Sequence, residues 1–223
     1  FGGVVDAYTM TEAVKDGITV NLVYDGRAAK VMLNQDKVRQ IEEYYAQCEL
    51  EGANEHQVEE SQKAVAKMEV IIGDPDRLRA VAEDFIKHYE TRVAEGATVA
   101  GKAMFVCSNR NIAYDFYKIV KELRPEWTEK KICDDGVVLS EKDKKELKPM
   151  EKIKLVMTRN KDDEKDLFDM LGTKEDRKEF DRQFKNPKSN FKIAIVVDMW
   201  LTGFDVPELD TIYIDKPIQQ HTL

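Results

Sequence analysis

Residues 193–217 read Ile-Ala-Ile-Val-Val-Asp-Met-Trp-Leu-Thr-Gly-Phe-Asp-Val-Pro-Glu-Leu-Asp-Thr-Ile-Tyr-Ile-Asp-Lys-Pro, two β-rich apolar runs joined by a short loop that holds Thr202, Gly203 and Asp205. An apolar run too short for a helix and rich in Ile and Val suits a strand buried on both faces. Ligands of open parallel sheets bind where such strands end. The expected order is strand, functional loop, strand, with Thr202 and Asp205 on the binding edge. As four residues alone, Thr-Gly-Phe-Asp also fits a plain turn, Gly203 supplying a permissive backbone and Asp205 capping a local amide.

The rest of the chain divides near Gly73, giving segments 1–73 and 74–223. In the first, Thr9 or Thr11 is placed to cap a short helix ending at Gly17, and runs 18–24 and 27–33 flank Asp25-Gly26, a dipeptide favoured in two-residue hairpin turns. Residues 36–70 are rich in Glu, Gln, Ala and Lys and predict two polar helices broken near Gly52. After Gly73 helix and strand alternate. Asp74-Pro75 supplies an N-cap and a first-turn proline, and Leu78, Val81, Ala82, Phe85, Ile86, Tyr89 and Val93 recur at helical spacing. Strand 102–107 leads through Ser108 or Asn109, either able to cap, into a helix that buries Ile112, Phe116, Ile119, Val120 and Leu123. A further strand is predicted over 153–157, then two helices over about 164–171 and 173–185, divided by Gly172 and closed by Asn186-Pro187. Four short apolar strands near Ala103, Ile153, Ile193 and Thr211, with helical connections between the first three, imply an α/β fold with a mainly parallel sheet.

Composition excludes several classes. At 223 residues, 42% apolar and 35% charged, the chain can bury a sizeable core. It has no apolar run of about eighteen residues and no basic-then-apolar leader, so neither membrane span nor signal peptide is indicated. Phe1 in place of Met suggests a piece of a longer chain. Cys48, Cys107 and Cys133 lie far apart, and His56, His88 and His221 do not complete a metal set with them, so neither zinc nor disulfides are expected. Such cysteine usage fits a reducing cytoplasm. Cys107, ending an apolar run, reads as a small buried hydrophobe. Asp162, Asp163 and Glu164 lack a calcium-loop pattern and read as acids at a helix start.

The net charge of −8 opposes binding to nucleic acid through charge alone, but the acidity is local. Residues 42–69 carry eight Glu against Lys63 and Lys67, whereas 174–192 carry seven basic and four acidic residues. That second stretch reads either as a solvated helix face or as a surface that tracks a phosphate backbone.

From 180 to 217 the order is a Phe-x-x-x-Phe helix, a Lys-Asn-Pro turn, Phe-Lys-Ile-Ala-Ile-Val-Val-Asp and then Thr-Gly-Phe-Asp-x-Pro. This resembles the second RecA-like lobe of superfamily 2 helicases around their motif V. The fuller wording Asp-Met-Trp-Leu-Thr-Gly-Phe-Asp-x-Pro-x-Leu-x-Thr-x-Tyr-x-Asp-Lys-Pro looks like the motor subunits of type I restriction enzymes. Residues 102–117, continuing to Arg124-Pro-Glu-Trp127, are similar to the motif IV strand and helix of the same subunits, and Phe1-Gly-Gly, Tyr8-Thr-Met and 16–27 to the segment after their motif III. The likeness spans nearly the whole chain and is weakest in the acidic helices.

The resemblance implies a motor that couples ATP hydrolysis to movement along double-stranded DNA, with Mg2+ as cofactor and a nuclease domain elsewhere in the polypeptide. Its implied partners are the first RecA-like lobe and the nuclease domain of the same chain, and separate methylation and specificity subunits; no membrane is involved and the protein would be cytoplasmic. Thr202 and Gly203 would offer a hydroxyl and an amide to a DNA phosphate, contacts that position without reading sequence. Ser108, Asn109 and Arg110 would add further DNA contacts, although a helix cap accounts equally well for Ser108 or Asn109. Asp205 would approach the nucleotide or couple its state to the DNA contacts; an Asx turn before Val206-Pro207 fits it as well. Trp200, between Met199 and Leu201, reads as core or interlobe packing rather than a base-stacking platform, and Trp127 as a cap on the sheet edge.

A Gly-x-x-x-x-Gly-Lys-Ser/Thr phosphate loop is missing from the 223 residues, as is an Asp-Glu-x-His-type metal box, and the resemblance places the arginine-bearing motif VI beyond Leu223. No catalytic and no metal-binding residue is therefore expected here, and the chain alone should neither hydrolyse ATP nor cut DNA. The alternative is a non-catalytic nucleic-acid-binding or protein-interaction module of another superfamily 2 helicase-like protein, docking through the acidic helices.

Overall fold

A computed structural model describes residues 10–17, 19, 21–27, 71–201 and 203–216. The hairpin expected over 18–33 falls largely outside them; within it, 21–27 are exposed and form no strand. The acidic helices of 36–70 and the loop residue Thr202 lie outside the described residues. The short first helix, α1, spans Met10–Lys15 and ends at Gly17, whose φ of 70° is the left-handed conformation that glycine adopts without a Cβ clash.

Helix α2, Pro75–Ala94, starts as the sequence dictates. The Asp74 carboxylate accepts from the Arg77 amide at 3.2 Å, and Pro75 occupies a first-turn position where no amide is needed. Its stripe buries Leu78, Ala82, Phe85, Ile86 and Tyr89, while Val93 stays largely exposed. Strand β1, Lys102–Cys107, is buried along its whole length and leads into α3, Arg110–Leu123. Between α3 and the next strand lie a 3-10 turn, Pro125–Thr128, an antiparallel bridge of Lys131 with Met150, and α4, Glu141–Glu146, started by a Ser140/Asp143 capping box. Strand β2 is Ile153–Leu155, shorter than the apolar run that predicts it. Helices α5, Lys165–Leu171, and α6, Lys174–Lys185, are separated by Gly172 at φ 65°, where a Cβ would sit 2.7 Å from that of Asp176. Strands β3, Ile193–Val196, and β4, Leu209–Asp215, complete the sheet.

Among the described residues these strands form one sheet in the order β2-β3-β1-β4, every neighbouring pair parallel. The expected α/β, RecA-like architecture is thus the one observed. Alternate residues of each strand point to opposite faces. Ala103, Phe105, Ile153, Leu155, Ile193 and Ile195 join α2, α3 and α5 in the larger core. Met104, Val106, Ala194 and Val196 join Phe180 and Phe184 of α6 in a second one. Trp127 belongs to the larger core, where it meets Tyr89 edge-on at 5.5 Å, and is buried there rather than capping an edge.

One connection differs from its expected form. The loop after β3 is a crossing rather than a short turn: β4 begins only at Leu209, parallel to β1, so 197–208 must run back along the sheet. Parallel neighbours need a crossover of about a dozen residues, which is normally helical. Here the crossing is irregular, and Met199, Trp200, Phe204 and Val206 pack it against the second core. It covers that face only in part, leaving Ile212 and Ile214 of the edge strand 52% and 48% exposed.

Candidate functional site

Because the strands are parallel, the segments after β1, β2, β3 and β4 gather at one edge of the sheet. After β1, Asn109 adopts an extended backbone and its Oδ1 accepts from the Ile112 amide at 3.0 Å, capping α3. Ser108 does not cap; its Oγ is buried and has no hydrogen-bond partner. A buried hydroxyl without a partner is uncommon and has donor and acceptor capacity to offer.

Arg110 turns inward. Its Nη1 donates to the Thr158 carbonyl at 2.7 Å and its Nη2 to both carboxylate oxygens of Asp163, at 2.5 and 2.7 Å. Asp163 also accepts from the Asn160 amide at 2.6 Å and its side chain is only 6% exposed. The reading of Asp163 as a helix-start acid is corrected by these contacts: it lies before the Glu164 N-cap of α5 and joins the loops after β1 and β2. At the end of β4, Asp215 receives both terminal nitrogens of Arg77 from the first turn of α2, and Arg77 Nη1 also donates to the Ile72 carbonyl at 2.9 Å. Lys216 Nζ donates to Asp198 at 2.7 Å. Arg77, Arg110 and Lys216 are each held by a carboxylate, whereas Arg159, in the loop after β2, lies over the Phe168 ring at 4.3 Å and its buried Nε has no hydrogen-bond partner.

The loop after β3 has the least regular backbone of the site. Trp200 has φ 67°, the one non-glycine with positive φ among the described residues, and Gly203 has φ 68°. Strain of about 1–3 kcal/mol is usual for a bulky side chain so placed. The Trp200 and Phe204 rings stack 4.1 Å apart at 8°, and Phe184 of α6 lies 5.4 Å from Trp200. Trp200 is accordingly half-buried packing against the second core, as its apolar neighbours suggest. Asp205 is exposed and its carboxylate forms no hydrogen bond or ion pair among the described residues, so an Asx turn does not engage it.

Of the seven basic residues of 174–192, Lys174 and Lys178 are exposed with no ion pair among the described residues, and four are held by carboxylates. Arg182 pairs with Glu179, Lys185 with Asp181, Lys188 with Asp143, and the buried Lys192 with Asp134. Burial pushes the Cys107 thiol well above its ordinary range, which suits packing and not nucleophilic chemistry. Among the described residues no three His, Cys, Asp or Glu side chains converge as metal ligands, and no helix is long and apolar enough to cross a membrane.

Several of these elements were not signalled by the sequence. Arg77 and Asp215 are 138 positions apart, and Arg110 and Asp163 are 53 apart; mixed charge on a helix start gives no hint of a distant partner. The stack of Phe184, Trp200 and Phe204 had a trace in the Phe-x-x-x-Phe helix and the aromatic pair that brackets the loop.

Two family models match the chain: Type I restriction enzyme subunit R domain 3 over residues 99–223, and SWI2/SNF2 ATPase over residues 1–59. The Type I restriction enzyme HindI endonuclease subunit of Haemophilus influenzae is 34% identical over 223 residues, all of this chain and 18% of the relative. The putative type I restriction enzyme MjaIXP endonuclease subunit of Methanocaldococcus jannaschii is 33% identical over 225 residues, again all of this chain and 19% of the relative. From the same organism, the putative MjaVIIP endonuclease subunit is 28% identical, covering 98% of this chain and 20% of the relative. The chain thus spans about a fifth of the length of these relatives. With a family model matching more than half of it, and relatives matched along its full length, the chain belongs to the type I restriction enzyme R subunit family.

Proposed function

We propose that this chain is part of the ATP-dependent DNA translocase of a type I restriction endonuclease R subunit, supplying duplex-backbone contacts and one wall of the ATP cleft between two lobes. The carrying observation is the sheet edge itself. A buried, unpartnered Ser108 hydroxyl, the start of α3 and the strained loop with Gly203 gather there, in a chain matched by an R-subunit family model. Ser108, Gly203 and, from its place in sequence, Thr202 would donate to DNA phosphates, which fixes register without reading bases. Asn109 would contribute only what its capping leaves free, and Arg110 would act while tied to Asp163. The exposed Asp205 would face the nucleotide or relay its state.

The residues present do not make a triphosphate site. Arg77, Arg110 and Lys216 are already paired with carboxylates, and the 223 residues contain no phosphate loop. ATP and Mg2+ are therefore assigned to the full-length subunit, together with double-stranded DNA, the first lobe, the nuclease domain and the methylation and specificity subunits. We divide the chain near Gly73, with the RecA-like lobe over 74–223.

The test is DNA-stimulated ATPase of the full-length subunit carrying Thr202→Ala or Asp205→Ala. Each variant should lose roughly tenfold or more of the stimulated rate, the scale expected for lost positioning. Folded variants that both match the parent overturn the assignment, and ATP turnover above background by residues 1–223 alone would refute the claim that this piece is inactive.

A further inference from the structure

Trp200 stands at a backbone position that suits glycine, and its ring is the reason such a residue can stand there. With left-handed backbones at 200 and 203, the chain reverses tightly enough for the Trp200 and Phe204 rings to meet face to face, 4.1 Å apart and 8° from parallel. Phe204 is in turn covered by Lys185 Nζ, 4.6 Å from its ring centre. Both rings contact Phe184, at 5.4 Å from Trp200 and 6.2 Å from Phe204. Phe184 is fully buried on α6, where Phe191 lies 5.0 Å away. The loop between 200 and 204 is thus fastened at both ends to one anchor in the core, and no side chain of the loop other than these rings holds it there among the described residues.

We propose that Trp200 is a positioning residue: its ring, clamped on Phe204 and Phe184, holds Gly203, Phe204 and Asp205 so that the Gly203 amide and the Asp205 carboxylate are presented. This rests on the reading of that loop as the element that faces DNA phosphate and nucleotide. The ring stack compensates for the left-handed backbone, so removing the ring releases the loop while the sheet beneath it, held by β1, β3 and α6, stays intact. An apolar filler would need only volume. A positioning role needs a flat ring.

Three substitutions in the full-length subunit separate these cases. Trp200→Phe keeps a flat ring, Trp200→Leu keeps apolar volume without stacking, and Trp200→Gly removes both ring and backbone strain. Steady-state ATPase is measured with and without duplex DNA, alongside thermal unfolding. The Leu and Gly variants should lose roughly tenfold or more of the DNA-stimulated kcat with the KM for ATP moved less than about twofold, while the Phe variant stays within about threefold of the parent. A folded Leu variant with the parent's DNA stimulation overturns the positioning role. If the Leu variant does not fold, Trp200→Phe and Trp200→Tyr decide: flat rings that keep the stimulation support the role, and a folded Phe variant that has lost it overturns the role. Thr202→Ala and Asp205→Ala run in parallel. If they also match the parent, the reading of the loop itself has failed; if they are impaired while Trp200→Leu is not, only the role of Trp200 has.

Discussion

The two faces of the sheet are covered differently. On one, capped helices α2 and α3 lie over β1, and Phe85 is met edge-on by Phe105 at 5.1 Å, Tyr213 at 4.8 Å and Trp127 at 6.4 Å. On the other, α6 shares the surface with an irregular crossing, and the half-buried Trp200 and Phe204 stack on each other and on the buried Phe184. The first face holds a stack as well, Phe105 on Phe116 at 3.9 Å, but both of those rings are buried, whereas Trp200 and Phe204 are only half-buried. The lesson is a division of labour: one face fixes the lobe, and the other carries the loop whose shape the proposed function depends on.

The sharpest way to break this comparison is to truncate one ring on each face. Phe85→Ala removes the centre of the larger core and should cost about 3–5 kcal/mol. Phe204→Ala removes a half-buried ring and should cost about 1–2 kcal/mol, mostly lost stacking and partial burial. Urea unfolding of the chain checks both, and equal losses would mean that the two rings contribute equally to the fold.

How much of this was legible in the sequence varies by region for physical reasons. Helix α2 was read nearly to its ends, since its proline, its Asp74 cap and its 3.6-residue stripe all act within the chain's own local geometry. The four strands were found because short apolar runs between helical segments leave few alternatives, and their parallel arrangement followed from the connections. The crossing over 197–208 was misjudged as a short loop, because Asp205-Val206-Pro207 has no hydrophobic period to show where the next strand starts. Of the site, Thr202, Gly203, Asp205 and 108–110 were picked out by wording. The cap at the start of α3 was legible as Ser108 or Asn109 and falls to Asn109, but what Arg110 contacts was not, since Asp163 and Thr158 approach it from another strand end.

Lys102 is a second illustration. It opens β1 and would be expected to reach solvent, yet it is fully buried, donating to the Phe191 carbonyl at 2.5 Å with its Nζ 5.2 Å from the Phe184 ring centre. Burial lowers its ammonium to about 7, helped by Lys192 and opposed by Asp134 and Glu208. Between that value and the ordinary one of 10.5 the unfolded chain holds a proton that the folded chain has released, so stability should rise with pH across that window. Below about 7 the burial penalty is present in full. Lys102→Met should therefore stabilise the chain by about 1–3 kcal/mol more at pH 6 than at pH 9. Denaturant midpoints at the two pH values test this, and a gain independent of pH would mean that the lysine keeps its proton in the fold. The comparison is sharpened too, because Lys102 lies beneath Phe184 on the face that carries the loop after β3.

The smallest effect is at the start of α3, on the face of the larger core. Asn109→Ala should cost about 1 kcal/mol by leaving the Ile112 amide without its cap, while Asn109→Asp, which keeps an acceptor there, should stay within about 0.5 kcal/mol of the parent. The same pair tests whether capping is all that Asn109 does. An aspartate preserves the helix but places a negative charge beside Ser108, at the edge assigned to phosphate. In the full-length subunit Asn109→Asp should weaken duplex DNA binding measured at low salt, and the difference should shrink as salt is raised. If Asn109→Asp binds DNA as the parent does while Asn109→Ala loses only stability, the residue belongs to the scaffold alone, and the DNA-facing part of the edge narrows to Ser108 and the loop after β3.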